Sequence, residues 1–241
     1  MSKENFKKML YEDALKVNVQ LTDSQLDLFW KYKELVIEWN EKINLTAITN
    51  DEDFAVKHFV DSITIDKYIE NDSEKIIDIG TGAGFPGIPL KILRTNNEIV
   101  LFDSLNKRLK VLDDIIEKLD LKNIITLHGR AEETFKNKEY REKFDIATSR
   151  AVASLNVLVE LMLPAIKIGG RCICMKGNNA EEEEIKNAEK AIQILGGKII
   201  KVDKIILPEL NQERNIIIIE KIKATPKAYP RKPGTPQKMP L

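Results

Sequence analysis

The stretch that decides the fold is 76-IIDIGTGAGFPGIPL-90, where a short apolar run ends in an aspartate and three spaced glycines follow. The apolar run is typical of a β-strand, and Phe85-Pro86 is typical of the start of a helix. Glycines between a strand and a helix let a ligand approach the backbone closely. Open α/β sheets bind ligands at the carboxyl ends of their strands, so the stretch predicts a ligand site at that edge.

The spacing of the loop limits the kind of ligand. Gly80-x-Gly82-x-Gly84 differs from the dinucleotide motif G-x-G-x-x-G, because Phe85 stands where that motif has its third glycine. It is also not a P-loop, since no Gly-Lys-Ser/Thr follows. Pro86 removes one of the helix N–H donors that a pyrophosphate would need. The loop therefore predicts a nucleoside ligand without a pyrophosphate.

Short apolar runs alternate with helical patterns from residue 75 onward, at 75–80, 98–103, 124–129, 144–148 and 171–176. This rhythm predicts a parallel sheet with helices on both faces. Two further runs, at 198–207 and 214–222, have a short connection and are expected to be antiparallel. We predict an α/β, Rossmann-like fold with a seven-stranded, mostly parallel sheet and one antiparallel strand, after an N-terminal helical extension.

The chain is divided into a helical region (1–70), a sheet domain (71–222) and a C-terminal tail (223–241) on the basis of these patterns. In the helical region, Thr22 and Gln25 have the spacing of a capping box, and Leu21 and Leu26 that of a hydrophobic staple. Trp30 and Trp39, on the same helix, are expected to be core residues rather than a platform for stacking bases.

Acidic residues follow successive strands of the predicted sheet. Asp78 precedes the first glycine, where it can orient the loop or meet an ammonium group. Asp103 ends the second strand, where an acid can accept hydrogen bonds from ribose hydroxyls. After the third strand, Ala131 and Glu132 could border an adenine ring. Each acid could instead cap a helix, but together they give the pattern of S-adenosylmethionine-dependent methyltransferases.

The net charge of zero hides an uneven distribution. Residues 221–241 hold six basic residues, no acidic residue and five of the nine prolines, which leaves a charge of −6 on the rest of the chain. A basic, proline-stiffened tail can bind RNA phosphates, and Arg231 and Lys232 are its candidate contacts. The tail could alternatively be a solvated, disordered terminus, or it could pack back on the domain.

Other features of the sequence indicate the cellular location of the protein and disfavour disulfide and metal sites. No apolar run approaches the length of a membrane span and the N-terminus lacks the layout of a signal peptide, so we expect a cytoplasmic protein that does not bind membranes. Cys172 and Cys174 would share one face of a strand in the core, which disfavours a disulfide and a zinc site. We predict no metal.

A polar helix face precedes the sheet. His58, Asp61 and Ser62 are expected to lie opposite the apolar Val56, Phe59, Val60 and Ile63. The favoured interpretation is a solvated face, and the alternative places His58 and Asp61 in the wall of the substrate site. His128, at a strand end, is expected to be structural.

Six motifs in order resemble those of the small-subunit ribosomal RNA methyltransferase G family, also known as the glucose-inhibited division protein B family. The resemblance extends from about residue 40 to the C-terminus. The motifs are NLTAI (44–48), HFVDS (58–62), DIGTGAGFPGIPL (78–90), SRAVASL (149–155), MKG (175–177) and YPRKPGTPQKMPL (229–241).

This resemblance implies methylation of guanine N7, at position 527 in conventional numbering, in bacterial 16S ribosomal RNA with S-adenosylmethionine as donor. It implies cofactor contacts at Gly80, Phe85, Ala131, Glu132 and Arg150. Position adds Asp78, Gly82, Gly84 and Asp103 to the cofactor site. The expected substrate-binding residues are His58, Asp61, Lys176, Arg231 and Lys232. The expected partner is 16S ribosomal RNA within the small subunit or an assembly intermediate, and the expected protein is a monomer.

The chemistry of this reaction agrees with the residues. Guanine N7 has a free lone pair and no proton, so the reaction needs positioning rather than a general base. TSRAVAS (148–154) stands where exocyclic amine methyltransferases carry an Asn/Asp-Pro-Pro-aromatic motif. Arg150, in that segment, is the catalytic candidate because it could hold guanine O6 or a phosphate; it could instead form a structural ion pair.

Three other functions stay open from the sequence. The same fold could methylate another RNA, a protein or a small molecule, although the basic tail and the missing amine motif count against the last two. A non-catalytic RNA-binding assembly factor could also use this fold. A nicotinamide dehydrogenase is disfavoured by the loop spacing.

Overall fold

The computed structural model describes residues 1–177, 182–210 and 212–241. One seven-stranded sheet has the strand order β3-β2-β1-β4-β5-β7-β6. All pairs from β3 to β5 are parallel, and β7 is antiparallel to both β5 and β6, which confirms the predicted sheet. The strands are β1 (Lys75–Ile79), β2 (Glu98–Asp103), β3 (Ile124–His128), β4 (Phe144–Arg150), β5 (Ile166–Lys176), β6 (Gly197–Leu207) and β7 (Gln212–Lys221).

The helices lie before the sheet and between its strands. The N-terminal ones are α1 (Lys3–Lys16), α2 (Asp23–Asn40), α3 (Asp51–Phe54), a π-helical segment (Ala55–Val60) and α4 (Asp61–Ile63). The later ones are α5 (Gly87–Leu93), α6 (Asn106–Lys118), α7 (Ala131–Thr134), α8 (Leu155–Met162), α9 (Glu182–Leu195) and α10 (Thr235–Lys238). Short 3₁₀ turns occupy Asp66–Tyr68 and Leu163–Ala165.

Helix α2 begins as its sequence predicts. The Thr22 side chain accepts a hydrogen bond from the Gln25 backbone N–H (3.3 Å), and Gln25 Oε1 accepts one from the Thr22 N–H (2.9 Å). These two bonds satisfy N–H groups that a helix start leaves free. Leu21 and Leu26 are both buried. The helix is thereby fixed at the point where it starts to cover the sheet.

Alternating strand residues supply two hydrophobic clusters, one on each face of the sheet. In β1, Ile76 belongs to the cluster that includes Phe6, Phe29 and other residues of the N-terminal helices. Ile77 belongs to the cluster on the opposite face, with residues of α8 and α9. The N-terminal helical region thus shares a core with one face of the sheet, while the three-part division of the chain stays a prediction.

The cysteines and tryptophans lie where the sequence predicts. Cys172 and Cys174 are both buried in β5 as free thiols, and burial raises the pKa of Cys174 to about 12. A buried thiol with a raised pKa is not available as a nucleophile. Trp30 and Trp39 pack against the first cluster, and Trp39 also donates a hydrogen bond to Asp114 (2.7 Å).

The C-terminal tail packs on the sheet domain, so the interpretation as a solvated, disordered terminus is wrong. Arg231 forms a two-pronged ion pair with the fully buried carboxylate of Glu160, with contacts of 2.6 to 3.0 Å. Arg141 donates to the carbonyls of Thr225 (2.6 Å) and Tyr229 (2.8 Å). The burial of Glu160 favours the packed position of the tail, because without Arg231 its charge would be buried and unpaired, which is costly.

Within the described ranges of the chain, no helix is both long and apolar enough to cross a membrane.

Candidate active site

The glycine loop is fixed from below by Asp78, the last but one residue of β1. Its Oδ2 accepts hydrogen bonds from Thr81 Oγ1 (2.7 Å) and from the Gly87 N–H at the start of α5 (2.9 Å). Asp78 is fully buried, and burial raises its pKa to about 6. Among the described residues, Oδ1 has no hydrogen-bond partner. Asp78 therefore joins the loop to α5, which is the orienting role expected from its position.

The three glycines have different surroundings, although all three have positive φ angles (75°, 60° and 101°). A Cβ at Gly80 would lie 2.5 Å from Val152 Cγ2, and one at Gly84 would lie 2.6 Å from Tyr32 Oη. A Cβ at Gly82 would meet only the Gly80 carbonyl oxygen, at 4.0 Å, among the described atoms. Gly80 and Gly84 therefore allow close packing of the protein on the loop, whereas Gly82 faces open space.

That open space is a cavity of about 420 Å³, here called the first cavity. Asp103 closes one side, where its carboxylate accepts hydrogen bonds from the N–H groups of Gly82 (3.1 Å) and Leu105 (2.8 Å). The cavity has the size of a site for a small ligand. Its lining residues are Leu45, His58, Gly80, Thr81, Gly82, Ala83, Phe85, Asp103, Ser104, Leu105, Arg108, Arg150, Ala151 and Val152.

Arg150, the last residue of β4, lies at the far wall of the first cavity. Its Nη1 donates to the Lys57 carbonyl (2.8 Å) and to Asp61 Oδ2 (3.1 Å), and its Nη2 donates to His58 Nδ1 (3.2 Å). The guanidinium carbon lies 5.1 Å from the centre of the Phe85 ring, within cation–π range. The structural ion pair that was the alternative for Arg150 is therefore present, with Asp61, while its contact with guanine O6 or a phosphate stays a prediction.

His58 is held as a neutral side chain in the same wall. Its ring stacks on Phe85 with centroids 4.4 Å apart and 9° between planes. Because Nδ1 accepts from Arg150, the proton is on Nε2, which donates to Thr46 Oγ1 (2.8 Å). Burial, and then the charge of Arg150, lower the His58 pKa to about 3.

The favoured interpretation of His58, Asp61 and Ser62 as a solvated face is wrong. Their exposed fractions are 8%, 3% and 0%. The helical segment 51–63 is covered on both sides: Phe59 and its apolar neighbours pack in the first core cluster, and the polar side chains face the end of β4. A π-helical turn lies in the middle of this segment, a feature often found at functional sites.

A second cavity, of about 350 Å³, lies on the other side of this wall. It shares His58, Arg150 and Ala151 with the first cavity, so the two sites adjoin. Among the described residues its lining is Ile48, Lys57, His58, Asp61, Arg150, Ala151, Met175, Lys176, Gly177 and Arg214.

Comparison with known proteins decides between the functions that this geometry allows. A family model described as "rRNA small subunit methyltransferase G" matches residues 25–221. The chain belongs to that family. It is 51% identical to the Ribosomal RNA small subunit methyltransferase G of Acetivibrio thermocellus, over 98% of this chain and 96% of the relative. It is 50% identical to the protein of that name from Clostridium novyi, over 100% of this chain and 99% of the relative.

Solved structures with lower identity share the fold. The structure of M. jannaschii TYW2 in complex with AdoMet has a TM-score of 0.54 and 16% identity, covering 67% of this chain and 77% of that one. A SAM-dependent methyltransferase from Aquifex aeolicus has a TM-score of 0.53 and 15% identity, covering 69% and 93%. The family membership and the fold therefore confirm the resemblance recognised from the motifs.

Within this rRNA methyltransferase G framework, five of the nine predicted cofactor residues line the first cavity, and four do not. Gly84 packs against Tyr32. Ala131 is buried in the second core cluster, and Glu132 Oε1 accepts a hydrogen bond from the Gly234 N–H of the tail (3.2 Å). Their roles as cofactor contacts stay predictions. Asp78 lies beneath the loop and likewise does not line the cavity.

The predicted substrate residues divide between the second cavity and the tail. His58, Asp61 and Lys176 line the cavity. Lys176 Nζ donates a hydrogen bond to the Ala153 carbonyl oxygen and forms an ion pair with Glu184, both at 2.7 Å. Arg231 is engaged by Glu160, so an RNA contact there would require that pair to break. Lys232 is exposed. The contacts of these residues with substrate stay predictions.

Sequence reasoning missed Arg214, near the start of β7. Because β7 is antiparallel, its first residues lie at the edge where the parallel strands end, as the pairing of Lys176 with Asn215 shows. Arg214 Nε lies 3.3 Å from Asp61 Oδ1. The sequence did contain an indication of this position, because Arg214 is the first residue of the run RNIIIIEKI, which was predicted to be an antiparallel strand. Arg108, Leu105 and Val152 in the first cavity were also missed.

Proposed function

We propose that this protein transfers the methyl group of S-adenosylmethionine to N7 of guanine 527 (conventional numbering) in bacterial 16S ribosomal RNA. The observation that carries the proposal is the pair of adjoining cavities that meet at His58 and Arg150, in a chain of the rRNA small subunit methyltransferase G family. One cavity suits a nucleoside on a glycine loop, and the other is lined by cationic side chains that suit RNA.

The residues of the first cavity fit S-adenosylmethionine. Gly82 leaves a space that a Cβ would begin to fill, and the Asp103 carboxylate lies at the end of the strand next to β1, where ribose hydroxyls would donate to it. The cofactor, when bound, supplies a methyl group activated by the sulfonium. Gly80, Phe85 and Arg150 complete the proposed contacts around the loop, and Asp78 supports it from below.

The residues at the junction of the cavities position the substrate rather than move protons. Guanine N7 carries no proton, so its reaction requires no general base. His58 agrees with this, because both ring nitrogens are engaged, by Arg150 and Thr46, and its pKa of about 3 keeps it neutral at physiological pH. Arg150, with its charge in a largely buried wall, is the proposed catalytic residue and holds guanine O6.

We further propose contacts, a substrate form and a location that membership of the family does not specify. Ala131 and Glu132 border the adenine ring, and Gly84 shapes the loop around it. The 16S ribosomal RNA is recognised within the small subunit or an assembly intermediate, with Lys176, Arg231 and Lys232 contributing contacts. The protein acts in the cytoplasm as a monomer, with regions 1–70, 71–222 and 223–241 as its helical, catalytic and tail parts.

The test is to map the methylated nucleotide. Small subunits that lack this methyl group would be incubated with the protein and S-adenosylmethionine, and their RNA treated with borohydride and aniline, which cleave the chain at N7-methylguanosine. We expect one new cleavage, at guanine 527, and none without S-adenosylmethionine. Methyl incorporation without cleavage would indicate another atom or another acceptor. Binding to subunits with no incorporation would favour the non-catalytic assembly factor.

A further inference from the structure

Asp61 connects three parts of the fold at the second cavity. It lies in α4 of the N-terminal helical region, whereas Arg150 ends β4 and Arg214 lies near the start of β7. Asp61 Oδ2 accepts a hydrogen bond from Arg150 Nη1 (3.1 Å). Oδ1 lies 3.3 Å from Arg214 Nε, an ion-pair contact without hydrogen-bond geometry, and has no hydrogen-bond partner among the described residues. Asp61 is 3% exposed, so both interactions take place in a poorly hydrated environment. Without this carboxylate, two guanidinium groups on the same wall would repel each other.

The second cavity is predominantly cationic. Four of its lining side chains are basic (Lys57, Arg150, Lys176 and Arg214), and Asp61 is the acidic one among the described lining residues. Asp53 and Glu184, outside the lining, pair with Lys57 and Lys176, each at 2.7 Å. The two lysines thus have acidic partners outside the lining, while the two arginines share Asp61.

We propose that the second cavity receives the target guanosine nucleotide and that Asp61 is its positioning residue, holding Arg150 and Arg214 on one wall. This inference rests on the proposed function. Arg150 faces both cavities, so a base beside it would lie next to the first cavity, where the methyl donor is proposed to bind. Arg214 lines the second cavity but not the first, and we assign it to the phosphate of the same nucleotide.

Guanosine monophosphate matches this wall chemically. A guanidinium can donate to guanine O6, and a second one can bind phosphate oxygens. Both acceptors are oxygens, so N7 stays free of hydrogen bonds and keeps its lone pair. The positions of the two guanidinium groups must be fixed relative to each other for this to work, because misplacement of about 1 Å can cost a hundredfold in rate. Asp61 is the described side chain that touches both.

The first test compares Asp61→Asn with Asp203→Asn. Asp203 is a matched control because its carboxylate also lies between two cations, Lys67 (2.9 Å) and Lys201 (3.3 Å), in contact with the N-terminal region but outside both cavities. Asp61→Asn should lower kcat/KM for small-subunit RNA at least tenfold, mainly through KM. Affinity for S-adenosylmethionine should stay within threefold, because Arg150 retains the Lys57 carbonyl and His58. Asp203→Asn should change neither.

The outcomes separate this inference from the proposed function. A decrease in kcat/KM of less than tenfold in Asp61→Asn would contradict the role of Asp61. So would a decrease in S-adenosylmethionine affinity as large as the decrease in kcat/KM. A wild-type protein that methylates no RNA would instead contradict the proposed function. Thermal unfolding of each variant shows whether it is folded.

The second test needs no variant. The wild-type protein, saturated with S-adenosylhomocysteine to fill the first cavity, would be photolabelled with 8-azidoguanosine 5′-monophosphate, whose azide lies next to N7. We expect labelled peptides from segments 48–61, 150–151, 175–177 or 214, with competition by guanosine monophosphate but not by cytidine monophosphate. Absence of competed label from all four segments would overturn the assignment of the second cavity, even if methyl transfer is observed.

Discussion

The two cavities differ in how the chain builds them. Most of the first cavity's lining comes from three runs that each follow a strand: the loop at 80–85, the end of β2 at 103–105 and the end of β4 at 150–152. Leu45, His58 and Arg108 complete it. The second takes its wall from five separate places, at 48, 57–61, 150–151, 175–177 and 214. A lining made mostly of the turns that follow strands can be recognised from motif spacing, whereas one made of single residues from distant segments depends on the whole topology.

The cavities also differ in their means of recognition. The first offers a bare backbone at Gly82 and one carboxylate, Asp103, which suits a neutral sugar and a base. The second offers cationic side chains held by the acid Asp61, which suits an anionic polymer. Binding in the second cavity should therefore weaken with salt, whereas cofactor binding in the first should change little.

The largest effect is expected outside both cavities, at the anchor of the tail. Among the described residues, Arg231→Ala would leave the buried Glu160 carboxylate with a single hydrogen-bond donor, the backbone N–H of residue 231. Breaking a buried pair of this kind costs about 3 kcal/mol of unfolding free energy. Chemical denaturation should show this loss, while cofactor affinity of the folded protein should stay unchanged.

Lys232→Ala is the matched control for the tail, because this neighbour is exposed. It should leave stability within about 0.5 kcal/mol of wild type. If Arg231→Ala weakened cofactor binding at a temperature where the protein is folded, the tail would belong to the first cavity, through Glu132 and Gly234.

The next effect is expected at Gly82 in the first cavity. Gly82→Val would direct a branched side chain into the open space beside the loop, so S-adenosylmethionine affinity should fall at least a hundredfold, or about 2.7 kcal/mol. The φ of +60° adds about 1–3 kcal/mol of strain, which thermal unfolding will show. Calorimetric titration measures the affinity. An unchanged affinity would remove the loop from the cofactor site.

A smaller and different effect is expected at Gly177, the glycine of the second cavity. No atom of the described residues lies within 4 Å of a Cβ built there. Gly177→Val should leave cofactor affinity within twofold and reduce methyl transfer to small-subunit RNA about tenfold, or about 1.4 kcal/mol. Titration and a methyl-transfer assay on the same preparation measure both. If the two glycine variants lost the same function, the division into cofactor and nucleotide cavities would be wrong.

Much of the fold could be predicted because its signals are local. The runs at 75–80 and 98–103 lie within a residue of β1 and β2, and the capping box at Thr22 has the predicted bonds. The start of β5 was predicted too late, at 171 rather than Ile166. Gly169-Gly170 interrupts its apolar pattern, and glycine in a strand conceals the alternation on which such predictions depend.

The site was predicted in part, and the errors have a physical cause. The polar face at His58 and Asp61 was expected to be solvated, because polar helix faces usually are. Here Arg150 comes from a strand that is distant in sequence and supplies the hydrogen bonds that make burial possible. Arg214 was missed for the same reason, since its contact with Asp61 depends on the antiparallel placement of β7.

The last effect is a slope rather than a loss at one pH: it is expected in the pH dependence of stability, and it tests His58 at the wall shared by both cavities. The His58 pKa is about 3 in the folded protein and near 6.5 in the unfolded chain, so between these values the unfolded state binds the additional proton. Stability should therefore fall as pH decreases below 6.5, by up to about 1.4 kcal/mol per pH unit from this residue. His58→Gln has no titrating group and should lose that part of the slope, as denaturation from pH 7 to pH 5 would show. The carboxylates, including Asp78 with its pKa of about 6, are present in both proteins, so the difference between the two curves reports His58. If the curves of stability against pH were parallel for the wild type and His58→Gln, His58 would not be the neutral acceptor that holds Arg150 between the cavities.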